Sequence, residues 1–585
     1  MTSRLHRGLM TFVCAVLVAA ACGGEVSDSD TSGDSTAAPA SAAPDSSEAQ
    51  SGGSGGSGGS DEGTPGEGAQ EAETSSAAAD EPTTTLEESS AGEAENGNAA
   101  ADAEAQAVPR DIPNIFDDPR DGLFDEFQAT MDRGDHPFMQ VDEFCTAHDP
   151  APERVSTDRG IEADSISVVH IRQTLENLVQ IGFASDVGDP REMGETFVAY
   201  VNEQCGGVRG RKIDLHTIEV DVLGDQVQEL QIAACIEATE DRKAVIVLNT
   251  TGILEAAALC IVDQQQTALI LNTSMPDLLM ERGEGRLISS TNSAEQALRT
   301  LALDLIESGE LEGKTVGVAA SDAPGRYEAV ETGLVDVLRA NGVNVAVFDK
   351  LGCTGVPCMV GSVETVGRML SAGVDVFFNV LNILTAPPFL NEMANQGFKP
   401  GDVQFYATTF NNQANELVSS KIVQFGGASV GELYNGAVVL DSRDIGGYRL
   451  EDYEPKAFNE MCAATYANYS PSRTRHSIES APGEASVPYG MVTNMCSFMR
   501  MALRAIYDAG DNPTVDDVQS ALLNLGAVDS NEMLPTSIRP DKTTTPDVIR
   551  TFQWEFPCTR DYEFAVPGSP DGICIYPTSE FRPIS

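Results

Sequence analysis

Two short stretches of the 585-residue chain have the residue types of a catalytic or phosphate-binding motif. Residues 427–431 (GASVG) fit the pattern that presents a nucleophilic serine, here Ser429. Its triad partners would be His476 and one of three downstream aspartates, Asp441, Asp444 or Asp452. That motif needs a strand before it and a helix after it, but the following ELYNGAVVL predicts another strand. We therefore expect no hydrolase and no enzyme.

The second stretch, residues 309–315 (GELEGKT), is one residue short of a P-loop and precedes its predicted strand. Its amides therefore cannot form a phosphate cradle. Cys145 and His148, with Asp142 and Glu143, are the one grouping of metal-ligand types in the sequence. A disulfide at Cys145 accounts for that cysteine better than a metal would. We expect no metal and no cofactor.

A different kind of site is indicated by polar residues that follow predicted strands. In open α/β sheets, ligands bind outside the carboxyl ends of the strands. The candidate ligand-binding residues at such ends are Asn249, Thr250, Thr251, Asn272, Thr273, Ser274, Asp322, Tyr327, Asn379, Asn382, Thr408 and Thr409. Two alternatives remain open: Thr250 or Thr251 as a helix N-cap, and Tyr327 as a packing residue of its own helix.

The elements that would position these residues alternate between β-branched runs and amphipathic stretches. Strands are predicted at residues 166–171, 212–220, 244–249, 268–272, 315–320, 343–348, 374–380 and 403–409. Helical patterns lie between them, for example at 223–240 and 327–341. This alternation predicts an α/β fold with two doubly wound parallel sheets, and the second block begins near residue 290.

The order of segments over about residues 160–560 resembles a type I periplasmic binding protein, similar to the branched-chain amino-acid receptors. The matching stretches are FVAYVNEQCGGVRGRKIDL, AVIVLNTTG, ALILNTSMPDL, TVGVAASDAPGRYEAVETGLVDVLRANGVNV, GYRLEDYEPKAFNEM and TFQWEF. The resemblance implies two lobes joined by a hinge of about three crossings, which close around a ligand. We assign residues 165–289 plus 418–535 to lobe 1 and 290–417 plus 536–585 to lobe 2. Residues 110–164 are an extension outside the family pattern.

The resemblance also implies roles for the candidates. The loop at Thr250 and Thr251 would bind an α-carboxylate, and Tyr327 would present an aromatic ring. The family's acidic partner for an α-ammonium is missing beside Thr409, where the sequence reads ATTFNN, and Leu381 replaces a ring-bearing residue. A buried ammonium without a counter-charge is costly. An ordinary α-amino acid therefore requires Asp322 as partner, and amides, polyols and aromatic acids remain open.

The N-terminus predicts export. Arg4, His6 and Arg7 precede an apolar run at residues 9–21 that is shorter than a membrane span and typical of a signal peptide. Cys22 follows three alanines and resembles a bacterial lipobox cysteine, although Ala19 departs from the usual leucine. We predict a signal peptide at 1–21 and a lipid anchor at Cys22 on the outer face of the cell membrane. Ordinary secretion is the alternative.

Composition supports this organisation. Residues 22–109 are rich in Ser, Gly, Ala and Glu, contain no Lys or Arg, and predict a disordered acidic tether. The formal net charge of −54 argues against nucleic acid as a partner. No later stretch approaches the roughly 20 apolar residues of a membrane span.

Beyond Cys14 and Cys22 the chain has ten cysteines, an even number that suits disulfides in an oxidising compartment. Residues 353–358 (CTGVPC) predict a short disulfide loop between Cys353 and Cys358. The further expected pairs are Cys205 with Cys235, Cys462 with Cys496, and Cys558 with Cys574. Sequence alone leaves this connectivity open.

Two functions remain. The leading one is an extracytoplasmic receptor that delivers a small polar solute, either amino-acid-like, an amide or a related organic acid, to the permease of an ABC importer. The alternative is a sensor on the same fold that signals to a membrane partner without transport.

Overall fold

The structure is a computed structural model that describes residues 123–584. Within this range it does not describe 133, 181–183, 185, 222–225, 354–356, 411–413, 444–454, 477–485, 531–534 and 561–562. The predicted signal peptide, Cys22, the tether, the start of the extension at 110–122, and the triad candidates Asp444 and Asp452 lie outside the described residues.

The first sheet has five parallel strands in the order β2-β1-β3-β4-β5. These are β1 (Ser165–Thr174), β2 (Lys212–Asp221), β3 (Ile246–Asn249), β4 (Ala268–Leu271) and β5 (Leu287–Ser289). The order places all the carboxyl ends at one edge, as the βα alternation predicts.

Six helices are described between residues 123 and 289, and the first of them, α1, lies in the extension. They are α1 (Leu123–Met131), α2 (Glu176–Gln180), α3 (Pro190–Gln204), α4 (Val227–Ile236), α5 (Glu255–Leu259) and α6 (Asp277–Arg282). Single π-helical turns continue α4 and α5.

The second sheet runs in the order β14-β13-β10-β9-β8-β6-β7, and β15 pairs with β13. Its parallel part is β6 (Thr315–Ser321), β7 (Asn344–Leu351), β8 (Val376–Phe378), β9 (Gln404–Thr408) and β10 (Val438–Asp441). Its antiparallel edge is β13 (Val548–Glu555), β14 (Cys574–Pro577) and β15 (Arg582–Pro583). A two-stranded ladder, β11 (Gly526–Ala527) with β12 (Ser537–Ile538), stands apart.

The remaining helices cover the two sheets. They are α7 (Ala294–Glu307), α8 (Arg326–Val330), α9 (Asp336–Ala340), α10 (Ser362–Ala372), α11 (Ala386–Gln396), α12 (Glu416–Gly426), α13 (Ala428–Tyr434), α14 (Ala457–Tyr469), α15 (Ser486–Asp508) and α16 (Val515–Leu523). Each sheet is packed on both faces: α3, α14 and α15 oppose α4 to α6 on the first, and α10 to α13 oppose α7 to α9 on the second. The predicted fold class of two doubly wound lobes is confirmed.

The lobe boundary differs from the one assigned by sequence. Residues 418–441 were placed with the first lobe, but α12 and α13 pack on the second sheet and β10 pairs with β9. The chain therefore crosses to the second sheet after β5, returns after β10 and crosses again before β13. The first and third crossings run side by side, since the Ser289 amide donates to the Thr543 carbonyl and the Thr545 amide to that of Ser289.

The described part of the extension is fastened to the first half. Phe138 and Phe144 are buried in the same core as α3 and α15, and Phe144 stacks on Phe197 with ring centroids 5.0 Å apart. Cys145 forms a disulfide with Cys205 at the end of α3. These described residues of the extension are thus part of the lobe's core.

The described residues form five disulfides. The predicted pairs Cys353–Cys358, Cys462–Cys496 and Cys558–Cys574 are confirmed. The predicted pair Cys205–Cys235 is wrong, because Cys205 bonds Cys145 and Cys235 bonds Cys260. Cys235 on α4 packs against the turn after α5 on one face of the sheet, whereas Cys205 lies under the extension on the other.

The catalytic reading of GASVG finds no support in this geometry. Ser429 is exposed in the first turn of α13 and is preceded by helix α12 instead of a strand. Asp441 is fully buried, and its carboxylate accepts hydrogen bonds from the backbone and guanidinium of Arg443. His476 stacks on Tyr466, with ring centroids 5.7 Å apart.

Candidate functional site

The strand ends of the first sheet bring several predicted residues together. The Thr250 hydroxyl lies 3.1 Å from His170 Nε2 on β1, and the Asn272 side chain donates to the Thr250 carbonyl at 2.9 Å. The Thr251 hydroxyl accepts the Gln173 amide at 2.6 Å. Neither threonine is a helix N-cap, because α5 begins after Leu254. The ends of β1, β3 and β4 therefore form one polar cluster, in which His170 and Thr250 are buried and Thr251 and Asn272 are half-buried.

Asn249 supports this loop from beneath. It is fully buried, and its Nδ2 donates to the carbonyls of Ile171 and Gly252 at 2.9 and 3.1 Å. Its Oδ1 accepts the Gly252 amide at 3.0 Å. Gly252 has a φ of 95°, a left-handed conformation that glycine adopts without strain. With its donors and acceptor engaged by backbone, Asn249 shapes the loop.

Thr273 and Ser274 lie where β4 meets the first crossing. The Ser274 hydroxyl donates to the Asn292 carbonyl at 2.8 Å, and the Ser289 hydroxyl donates to the Thr273 carbonyl at 3.0 Å. Ser274 is buried, whereas the Thr273 side chain is half-buried. Ser274 thus couples the strand end to the hinge, and Thr273 remains on the site's surface.

In the second sheet, β9 ends in two threonines with different surroundings. The Thr408 hydroxyl accepts the Phe410 amide at 3.1 Å. The Thr409 hydroxyl is buried and has no hydrogen-bond partner among the described residues. A buried hydroxyl without a partner costs free energy, which a ligand's polar atom can recover.

Asn379 and Asn382 serve local structure at the end of β8. Asn379 is buried, and its Nδ2 donates to the Tyr434 hydroxyl at 3.3 Å. The Asn382 Oδ1 accepts the amides of Leu384 and Thr385 at 3.1 and 2.9 Å, just before α11. The contacts of these two asparagines therefore define the loop that leads into α11.

Asp322 and Tyr327 lie against the edge strand β7. Asp322 pairs with Lys350 at 2.9 Å, and the Tyr327 ring stacks on Phe348 with centroids 4.5 Å apart. The Lys350 ammonium lies 4.4 Å from the centre of the Tyr327 ring. These contacts make Tyr327 a packing residue at the β7 edge and Asp322 the partner of Lys350.

Glu255 and Arg326, which were not among the predicted site residues, join the two halves. Arg326 Nε at the start of α8 donates to Glu255 Oε1 at the start of α5, and both side chains are largely buried. The Arg326 guanidinium also lies 5.0 Å from the centre of the Phe410 ring. Arg326 is directly before Tyr327 in SDAPGRY, but local sequence carries no signal for a partner 71 positions away.

No cluster of three or more metal-ligand side chains occurs in the described part of the chain. The sequence-level grouping is dispersed: Cys145 is in a disulfide, and His148 Nε2 accepts the Arg209 amide at 2.6 Å. Among the described helices, none has the length and apolar character needed to cross a bilayer.

His170 predicts a pH dependence of stability. Burial lowers its pKa from 6.5 to about 3, with help from the positive charges of Arg172 and Arg191. Between those pH values His170 is therefore protonated in the unfolded chain and neutral in the folded chain. We expect the contribution of His170 to stability to be greatest above pH 6.5 and to fall by about 1.4 kcal/mol per pH unit below it, towards pH 3.

Urea denaturation between pH 4 and pH 8 measures this effect. His170→Asn should flatten the slope relative to the parent, whereas His216→Asn, on the partly exposed edge strand β2, should leave it unchanged. Equal slopes for His170→Asn and the parent would show that His170 is not the responsible group.

Known proteins with a similar sequence pattern or fold indicate the family of the chain. A family model described as periplasmic binding protein matches residues 183–556. The matched stretch runs from just before α3 to just past β13, so it includes strands of both sheets. No curated protein matches the chain significantly.

Solved structures of similar proteins come from several bacteria. One is a solute-binding protein of an ABC transporter from Rhodopseudomonas palustris HaA2 in complex with p-hydroxybenzoic acid, with 15% identity, a TM-score of 0.49, and coverage of 72% of this chain and 98% of that chain. Another is a branched chain amino acid ABC transporter protein from Thermus thermophilus with bound valine, with 14% identity, a TM-score of 0.46, and coverage of 72% and 97%. A third, from Desulfitobacterium hafniense in complex with Leu, has 15% identity, a TM-score of 0.45, and coverage of 68% and 98%.

Proposed function

Because the chain belongs to the periplasmic binding protein family, we propose that it binds a small polar solute between its two sheets and passes it to an ABC importer. The observation that supports this most is the meeting of strand-end loops from both sheets at Glu255 and Arg326. Loops at the carboxyl ends of parallel strands are where such sheets bind ligands. The protein is then a receptor and not an enzyme.

The proposed solute site combines hydroxyls from both halves. The first half supplies Thr250, Thr251 and Thr273, and the second supplies Thr409. Thr409 supports this composition of the site, because its hydroxyl is buried and has no hydrogen-bond partner among the described residues. Closure of the hinge would bring a solute into contact with both sets.

The charges near this site favour a solute without net charge. Glu255 and Arg326 neutralise each other, and Asp322 is paired with Lys350 at the β7 edge. A solute with one unpaired charge would be buried without a counter-charge, at a cost of several kcal/mol. We place amides and polyols first, and amino acids and aromatic acids such as hydroxybenzoate second.

The proposed location is the outer face of the cell membrane, with Cys22 as the lipidated residue. Five disulfides support an oxidising compartment. The permease of the importer would be the membrane partner.

A thermal-shift screen of the folded chain against amides, polyols, amino acids and aromatic acids tests this function. A solute at 100 times its Kd should stabilise the chain by about 2.7 kcal/mol. Thr251→Val and Thr409→Val should lose most of that shift, and Thr332→Ala, an exposed threonine bonded to the Glu328 carbonyl, should keep it. A full shift in both Val variants would place the solute elsewhere.

Transport is tested by uptake of the identified solute in cells with and without the chain. Loss of uptake supports the importer. Unchanged uptake, together with binding in the thermal assay, would favour a sensor.

A further inference from the structure

One ion pair links α5, beside the first sheet, to α8, beside the second. The Glu255 side chain is 7% exposed and that of Arg326 is 16% exposed, so water screens the pair weakly. Its two residues belong to loops that follow β3 and β6, on opposite sides of the proposed cleft. The ion pair can therefore form only when the two halves are close together.

The surroundings of Arg326 make this contact specific. Its guanidinium lies over the Phe410 ring at 5.0 Å, which holds the side chain on the second half. The preceding residue, Gly325, has a φ of 74°, and a Cβ placed on it would lie 3.3 Å from Pro276 and from Leu279 of the first half. The loop thus approaches the first half closely at the residue directly before Arg326.

We propose that Glu255 and Arg326 form an interlobe latch that sets the balance between closed and open forms before any solute binds. Opening the halves would return both groups to water, so they are desolvated in the closed form alone. Removing Arg326 leaves the Glu255 carboxylate buried without its cation in that form, and removing Glu255 takes a buried partner from the Arg326 guanidinium. Either change shifts the population towards the open form. The inference rests on the proposed function, because the open form is the one that a solute would enter.

Amide hydrogen exchange of the full chain without any solute tests the latch. Glu255→Gln and Arg326→Met should each raise exchange about tenfold in peptides covering 249–254 and 320–326, the change expected from a shift of about 1.4 kcal/mol. The double variant should exchange less than the product of the two single effects predicts, because the pair acts as a unit. Charge reversal in Glu255→Arg/Arg326→Glu should restore part of the protection.

Glu219→Gln is the matched control. Glu219 bonds Arg172 at 2.9 Å on the neighbouring strand of the same sheet, so its loss breaks a partly buried ion pair within one half. It should leave exchange in the two loops unchanged. The latch would be overturned if exchange in the two loops stayed unchanged in both single latch variants, or if Glu219→Gln raised it as much as they do. It would also be overturned if the double variant showed the full product of the two single effects.

The solute assay separates this inference from the function. With a solute identified in the thermal screen, the single latch variants should bind it about tenfold more weakly. If the screen finds no solute while exchange responds as expected, the latch holds and the proposed function fails. If a solute binds while exchange does not respond, the function holds and the latch fails.

Discussion

Replacing Arg500 by methionine is expected to destabilise the chain by about 3–5 kcal/mol, because it breaks a buried cluster that fastens the extension to α15. The Arg500 guanidinium donates to the carbonyls of Phe138, Gln140 and Glu143, at 3.1 Å for the first and 2.5 Å for the third. Burial lowers its pKa to about 10, so it stays charged at pH 7. Methionine fills similar volume but leaves three carbonyls without their donor.

Urea denaturation under non-reducing conditions measures the loss. Arg368→Met, which removes an exposed arginine paired with Asp349, should cost less than about 1 kcal/mol. Arg500→Lys should lie between the parent and Arg500→Met, because one ammonium cannot replace a planar fork with five donors. Equal stability of Arg500→Met and Arg368→Met would show that the extension does not depend on this cluster.

The second large effect is expected at Asn249. Asn249→Ala should destabilise the chain by about 2–3 kcal/mol, because the buried Ile171 carbonyl and the Gly252 backbone lose their partner. Because Gly252 directly follows Thr250 and Thr251, the site loop would also lose its shape. We expect solute affinity to fall at least tenfold, which equals about 1.4 kcal/mol.

Denaturation and calorimetric binding of the solute found in the thermal screen measure these two losses. Asn249→Asp keeps the size and one acceptor but loses both donated hydrogen bonds, so it should resemble Asn249→Ala. Asn341→Ala is the control, since the Asn341 side chain caps an exposed carbonyl of Val337. Unchanged affinity in Asn249→Ala would mean that the loop conformation does not matter for binding.

The strands predicted from β-branched runs agree with the structure to within a few residues, including Thr315–Ser321 and Gln404–Thr408. Such agreement is expected because a strand buried on both faces must be apolar along its whole length. Ile246–Asn249 and its neighbours show that pattern clearly. The polar residues after β3 and β4 were predictable for the same reason, since they mark where burial ends.

The strand order and the lobe boundary were less accessible. β10 is a run of four residues that follows two helices, and its membership of the second sheet depends on pairing with Gln404–Thr408 and Val548–Glu555. One predicted cysteine pair, Cys205 with Cys235, was wrong for the same reason. Cys205 and Cys235 flank one strand in sequence, but they lie on opposite faces of the sheet.

The site shows a similar division. Thr250, Thr251 and Thr273 were proposed because each follows an apolar strand. Tyr327 was proposed to face a ligand, but the structure stacks it on Phe348 of the edge strand. The pairing of Glu255 with Arg326 was not predicted, because each is an ordinary charged residue in its own helix.

The sequence by itself determined the fold class, the approximate strands and the strand-end hydroxyls, because these follow from local hydrophobic patterning and from the rule that parallel strands end at one edge. Only the tertiary structure showed that Cys145 pairs with Cys205 and Cys235 with Cys260, where the chain recrosses between the sheets, and which charges meet across the halves. Those features join residues far apart in the chain, and their energies depend on burial and distance, which local patterns do not encode.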